Sequence, residues 1–125
     1  MLLVTFVTKL NLSFPYICSK QMNMGILDFL GFGSKSKQIA EFIEKDAVII
    51  DVRSYEEFAG GHIKNSKNIP LQIIENKIND IIALNKPVIL CCRSGMRSGQ
   101  ANSILRRNGI ESMNGGGWQS LQNKL

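Results

Sequence analysis

The chain has 125 residues, 44% of them hydrophobic and 20% charged, with a formal charge of +5. That size fits one domain and leaves little room for two, and the composition is that of a globular protein rather than a disordered or fibrous one. Lys9 and Lys20 are the only charged residues among the first 24, so the remainder carries +3, too mild and too scattered for a nucleic-acid surface.

Residues 1–24 hold apolar stretches, Leu2-Leu3-Val4 and Phe6-Val7, that Lys9 interrupts. The run is too short to span a bilayer. It lacks the leading positive charge and the small-residue cleavage site of a secretory signal. The expectation is an N-terminal extension over 1–35, disordered or absent from the native protein before Met24, then a folded domain over 36–125. A weak export signal over 1–23 is the alternative; otherwise the chain is expected in the cytoplasm.

From residue 36 the pattern is regular. Ile39, Phe42 and Ile43 follow helical spacing. Ala47-Val48-Ile49-Ile50-Asp51-Val52 is an apolar run ending in a charge, the signature of a strand buried on both faces of a parallel sheet. Ser54-Tyr55-Glu56-Glu57 is a capping box that starts a helix, and Gly60-Gly61 ends it. Asn68-Ile69-Pro70 reads as a short extended piece. Ile74, Ile78, Ile81 and Ile82 form a helical stripe expected in the core, and Asn85-Lys86-Pro87 a turn. Val88-Ile89-Leu90-Cys91 is a second buried strand. A helix is expected over 98–107, stopped by Asn108-Gly109, then a last short strand over 110–113, a glycine loop over 115–117 and a terminal helix over 118–125. Strands alternating with helices predict an α/β fold of three layers, with a central, mostly parallel sheet of about five strands.

The chemistry lies where the second strong strand stops, at Cys91-Cys92-Arg93-Ser94-Gly95-Met96-Arg97-Ser98. Three cysteines, Cys18, Cys91 and Cys92, are too few and wrongly spaced for a disulfide scaffold. There is no CxxC pair and a single histidine, His62, which argues against a zinc site. A reactive thiol remains. Cys92 would sit at the carboxyl edge of the sheet, where α/β folds place ligands. If the loop curls there, its N–H groups and the next helix N-terminus converge on the sulfur. Those donors and the two flanking arginines favour the thiolate and lower its pKa. Gly95 suits a tight curl. The bland alternative is a buried structural cysteine beside a basic turn.

This segment resembles the active-site loop of the rhodanese family, which a cysteine opens and an arginine often closes; here the loop is Cys92 to Arg97. Asp51-Val52-Arg53, Glu57-Phe58, Gly61-His62-Ile63 and Asn68-Ile69-Pro70 resemble that family's first signature in order and spacing. Gly116-Gly117-Trp118 resembles its C-terminal glycine turn. The resemblance covers roughly residues 38–121. It implies a sulfurtransferase of the thiosulfate type: Cys92 takes the outer sulfur of a small anionic donor, becomes a persulfide, and passes the sulfur to cyanide, a thiol or a protein cysteine. Arg93, Ser94, Gly95, Met96, Arg97 and Ser98 then form the substrate-binding loop, with Arg97 and Arg93 as candidates for the sulfonate oxygens. Neither metal nor organic cofactor is implied, nor a nucleic-acid or membrane partner, and a monomer is expected. A non-catalytic sulfur relay or binding module is the alternative. Phosphatase or arsenate reductase chemistry fits less well, because only four residues separate Cys92 from Arg97 and the cradle is small for a tetrahedral oxyanion.

Other residues take lesser roles. Asp51 and Arg53 are expected to brace the loop, or else Arg53 pairs locally with Glu56 or Glu57. His62 reads as structural. Cys91 should point away from Cys92 and pack in the core, with a resolving thiol as the sharper alternative. Trp118 packs, or walls the substrate mouth. Met96 should be exposed to substrate or partner. The chain departs from the family pattern at Cys91, where an aromatic residue often stands, at Leu121, where a tryptophan often stands, and in the short stretch between Gly109 and Gly115. These departures concern the last strand and the pocket rim.

Overall fold

A computed structural model describes residues 34–125; the expectations for the N-terminal extension lie outside the described residues. Residues Ser36–Leu125 form one compact unit. Helix α1 spans Ser34–Glu44 and strand β1 Val48–Asp51. Helix α2 spans Tyr55–Ala59 and strand β2 Lys67–Asn68. A 3-10 helix, Leu71–Lys77, leads into α3, Ile78–Leu84. Strand β3 is Val88–Cys92, helix α4 Met96–Arg107, strand β4 Ser112–Gly117 and helix α5 Trp118–Gln122.

The strands make one parallel sheet in the order β2-β1-β3-β4, four strands among the described residues where about five were expected. The apolar run that becomes β3 is buried at every position, as a central parallel strand covered on both faces must be. Alternation splits the core in two. On one face Ile50, Val52, Leu90 and Cys92 meet Ala101 and Leu105 of α4, with Ile74 and Ile81. On the other, Ile89, Cys91 and Met113 meet Ile39 and Phe42 of α1 and Leu121 of α5. Each fully buried Ile or Leu contributes about 1.5–3 kcal/mol, so both faces hold the sheet.

Four local expectations change. The last strand is not residues 110–113 followed by a glycine loop; β4 runs through Ser112–Gly117 itself. Asn114 pairs with Leu90 and Gly116 with Cys91, leaving Gly115 as a bulge. A Cβ on Gly115 would lie 2.9 Å from the Leu90 carbonyl oxygen and 2.9 Å from Ile89 Cγ2. At Gly115 and Gly117 packing excludes a side chain, the latter's Cβ falling 2.8 Å from Arg93 O, whereas Gly116 takes a φ of 89° that glycine adopts at little cost. Second, α4 starts at Met96, so Met96 and Arg97 occupy its first turn. Third, the isoleucine stripe begins in a 3-10 helix, and within α3 Ile81 is buried while its neighbour Ile82, about 100° further round the helix, is half exposed. Fourth, the terminal helix stops at Gln122.

Candidate active site

Cys92 ends β3 and is 1% exposed. The chain then turns through Arg93 and Ser94 to Gly95, whose φ of 103° is open to glycine at little cost. That turn aims two backbone donors back at the sulfur. Gly95 N donates to Cys92 Sγ at 3.0 Å and Ser98 N at 3.4 Å. Both lie at the N-terminus of α4, where the helix dipole also favours a negative charge. Burial pushes the Cys92 thiol up, but hydrogen bonds from Ser98, Gly95 and Ser94 outweigh it, and the group titrates below an ordinary cysteine.

Ser98 is fully buried, and its hydroxyl lies 3.4 Å from Cys92 Sγ and 2.7 Å from Asn114 Oδ1. It has one proton for two acceptors. The Asn114 amide is oriented by backbone on both sides: Nδ2 donates to Gly95 O at 3.0 Å, and Oδ1 accepts from Gly116 N at 2.9 Å. Oδ1 therefore faces Ser98, and the shorter bond takes the proton. In that arrangement the sulfur is left to the backbone donors, whereas a hydroxyl turned the other way would be the largest single contribution lowering the Cys92 pKa. Asn114, which sequence reasoning passed over, ties β4 to both ends of the curl. Its only signal in the sequence was a polar residue interrupting an apolar-glycine run.

Cys91 faces the opposite core, among Ile39, Ile63, Ile89 and Leu121. Burial pushes its thiol up to about 12, with the nearby Asp51 carboxylate adding to the shift. It is a core residue beside Cys92, facing away from it.

Asp51 and Arg53 are brought together, but not as a local pair of Arg53 with Glu56 or Glu57. The Arg53 guanidinium binds the buried Asp51 carboxylate through Nε at 2.9 Å and Nη2 at 2.7 Å. Nη2 also donates to Gly61 O at 2.7 Å, and the guanidinium lies 4.7 Å from the Trp118 ring centroid. Asp51 is in register with Cys91, so this pair braces the underside of the sheet edge. Trp118 both packs against the core and walls a cavity of about 320 Å³, which Arg93 and Glu57 also line.

Glu57 instead takes Arg97. Arg97 Nη1 donates to Oε1 at 2.8 Å and Nη2 to Oε2 at 3.2 Å. The guanidinium and the capping box hold the Glu57 carboxyl down to about 2. Of the loop's two arginines, Arg93 alone has no ion-pair partner among the described residues. Met96 projects outward, 76% exposed. His62 is exposed, stacks on Phe58 at 3.7 Å between ring centroids and bonds Phe58 O through Nδ1 at 2.8 Å, a local structural role. No group of three or more His, Cys, Asp or Glu among the described residues is placed to hold a metal ion.

The arrangement is thus a buried cysteine sulfur faced by two backbone N–H groups at the start of a helix. The family model of the rhodanese-like domain matches residues 35–124. The uncharacterized protein YqhL of Bacillus subtilis is 44% identical over 75 residues, 58% of this chain and 59% of that protein, so the match spans little more than half of that relative. A sulfurtransferase of Allochromatium vinosum is 32% identical over 76 residues, covering 61% of this chain and 68% of that protein. Among solved structures, a rhodanese-like domain protein of Staphylococcus aureus superposes with a TM-score of 0.55 at 34% identity, covering 61% of this chain and 74% of that one. The cysteine loop, the parallel sheet that carries it and the family match over nearly the whole described region agree: the chain belongs to the rhodanese-like domain family.

Proposed function

We propose that the protein is a sulfurtransferase that carries sulfur as a persulfide on Cys92. One observation supports this above the rest: Cys92 Sγ lies at the focus of the Gly95 and Ser98 N–H groups, at 3.0 and 3.4 Å, at the start of α4. The sulfur is thereby held as a nucleophile without a general base.

The step balances simply. The Cys92 thiolate attacks the sulfane sulfur of thiosulfate; the donor S–S bond breaks, sulfite leaves as a dianion, and the new Sγ–S bond leaves one negative charge on the outer sulfur. N–H groups of the curl that serve the thiolate are close enough to serve the persulfide, as an oxyanion hole serves oxygen. An acceptor thiolate or cyanide then attacks the outer sulfur and regenerates the Cys92 thiolate. Arg93, exposed at the mouth, is the cation available to sulfonate oxygens. The chemistry calls for neither metal nor organic cofactor. We place it in the cytoplasm as a monomer, with a small sulfur donor and a thiol or protein-cysteine acceptor as its partners. No helix among the described residues is long and apolar enough to cross a membrane.

Intact-protein mass spectrometry after incubation with thiosulfate tests the reading. Wild type and Cys91→Ser should gain the mass of one sulfur, removable by cyanide or dithiothreitol, and Cys92→Ser should not. Gain by Cys92→Ser would move the nucleophile elsewhere. Absence of any gain, with thiosulfate and with a persulfide donor alike, would leave the loop as a binding element.

A further inference from the structure

The arginines near the loop are not equivalent. Arg53 is bound to Asp51, both buried. Arg97 is bound through both Nη atoms to the Glu57 carboxylate. Glu57 does not drift with it: Oε1 also accepts from Ser54 N at 3.0 Å and from Ser54 Oγ at 3.2 Å, while Glu57 N donates to Ser54 Oγ at 3.2 Å. The carboxylate is fixed at the start of α2, and it fixes Arg97 there. The cavity beside the loop therefore presents Arg53 and Arg93 together with Glu56 and Glu57. Arg53 is already met by Asp51, so Arg93 is the one cation of the cavity without a carboxylate partner among the described residues, and it shares the cavity with the carboxylates of Glu56 and Glu57, a poor environment for a dianion.

Resting on the sulfur-transfer reading above, we propose that Glu57 is a specificity-determining residue that turns the site away from doubly charged thiosulfate and toward organic persulfides. With such a donor, R–S–SH, the Cys92 thiolate attacks the terminal sulfur, the donor S–S bond breaks, and R–S⁻ leaves; the proton of the donor's S–H passes through water to R–S⁻, so that a neutral thiol departs and the Cys92 persulfide keeps the negative charge. No oxyanion has to be bound, so Arg97 has no part in the step and its pairing with Glu57 costs nothing. With thiosulfate, a sulfonate held at Arg93 meets the Glu57 carboxylate that lines the same cavity.

Glu57→Gln tests this cleanly, because glutamine also completes a capping box and can still receive Arg97. Removing one full charge beside the mouth should lower KM for thiosulfate about fivefold. Over the same comparison kcat/KM for the persulfide of 2-mercaptoethanol, generated in situ, should hold within about twofold. An unchanged or higher KM for thiosulfate overturns the proposal. A binding measurement separates its failure from that of the sulfur-transfer reading. Trp118 is the only tryptophan of the chain, so its fluorescence can follow sulfite binding to Cys92→Ser and to Cys92→Ser with Glu57→Gln. Tighter sulfite binding in the double variant supports the charge gate even if no sulfur is transferred. Equal binding overturns it even if transfer proceeds.

Discussion

Cys91 and Cys92 are neighbours in one strand, equally buried to solvent, and chemically opposite. Cys92 points into the face covered by α4, where the chain curls over it and hands it two backbone N–H groups. Cys91 points into the face covered by α1 and α5, where it meets isoleucine and leucine and the carboxylate of Asp51. Burial alone pushes both thiols up. What separates them is whether the burial comes with donors. A half-turn of one strand thus decides which thiol has its pKa lowered and which has it raised.

The largest effect that would sharpen this contrast is in reactivity. With its pKa near 12, Cys91 is thiolate to a fraction on the order of 10⁻⁴ at pH 8. Cys92 has its pKa lowered. A thiol with a lowered pKa ionises earlier as pH rises, so iodoacetamide labelling of Cys92 should climb at a pH below that of a free cysteine and then level off. Peptide mapping of native protein should show Cys92 modified at least about 1,000-fold faster than Cys91 at pH 8. Comparable labelling of both would mean that the two sides of β3 do not differ in the way described.

The next effect is in stability, on the Cys91 side. Asp51 is fully buried and Arg53 nearly so. Arg53→Met leaves the Asp51 carboxylate uncompensated among apolar groups and should destabilise the fold by about 3–5 kcal/mol in urea unfolding. Gly115→Ala is smaller. Its Cβ would come within 3.0 Å of Leu121 Cδ2 as well as crowding the Leu90 carbonyl, and overpacking of this kind costs about 1–3 kcal/mol. Because the crowding is at the β3–β4 seam, sulfur loading of Cys92 should survive in whatever fraction remains folded. Loss of loading in a fully folded Gly115→Ala protein would show that the two faces are coupled through the bulge.

The readable parts of the sequence and the unreadable ones divide along the same line. The β3 run, the capping box at Ser54 and the cysteine loop are local patterns, each specified within a few residues, and each is found where the sequence placed it. The parallel sheet follows from them. Arg97's partner was not legible: Glu57 lies 40 residues away, and only the docking of α2 beside α4 brings the two together. Nor was β4. A run of glycines reads as a loop when the only information is propensity, and its reason, the close approach to Ile89, Leu90 and Leu121, exists only in the packed structure. Asn114 was hidden inside that strand, and its partners Gly95 and Ser98 lie 19 and 16 residues away in sequence.

The smallest effect tests which donors serve the Cys92 sulfur. Ser98 Oγ is within reach of Cys92 Sγ, yet the Asn114 amide, oriented by Gly95 O and Gly116 N, draws its single proton away. Ser98→Ala should therefore leave the midpoint of the Cys92 labelling curve in place. It removes one buried hydrogen bond, to Asn114, and should cost about 1 kcal/mol in unfolding. If instead the midpoint moves to higher pH, the hydroxyl has been donating to the thiolate, and the contrast between the two cysteines rests on a side chain as well as on backbone. If it stays, the curl from Cys92 to Ser98 lowers the thiol's pKa with main-chain donors alone. Ser98 then acts through Asn114 as the tie between loop and sheet, and substitutions at Ser98 that keep the backbone path should keep the chemistry.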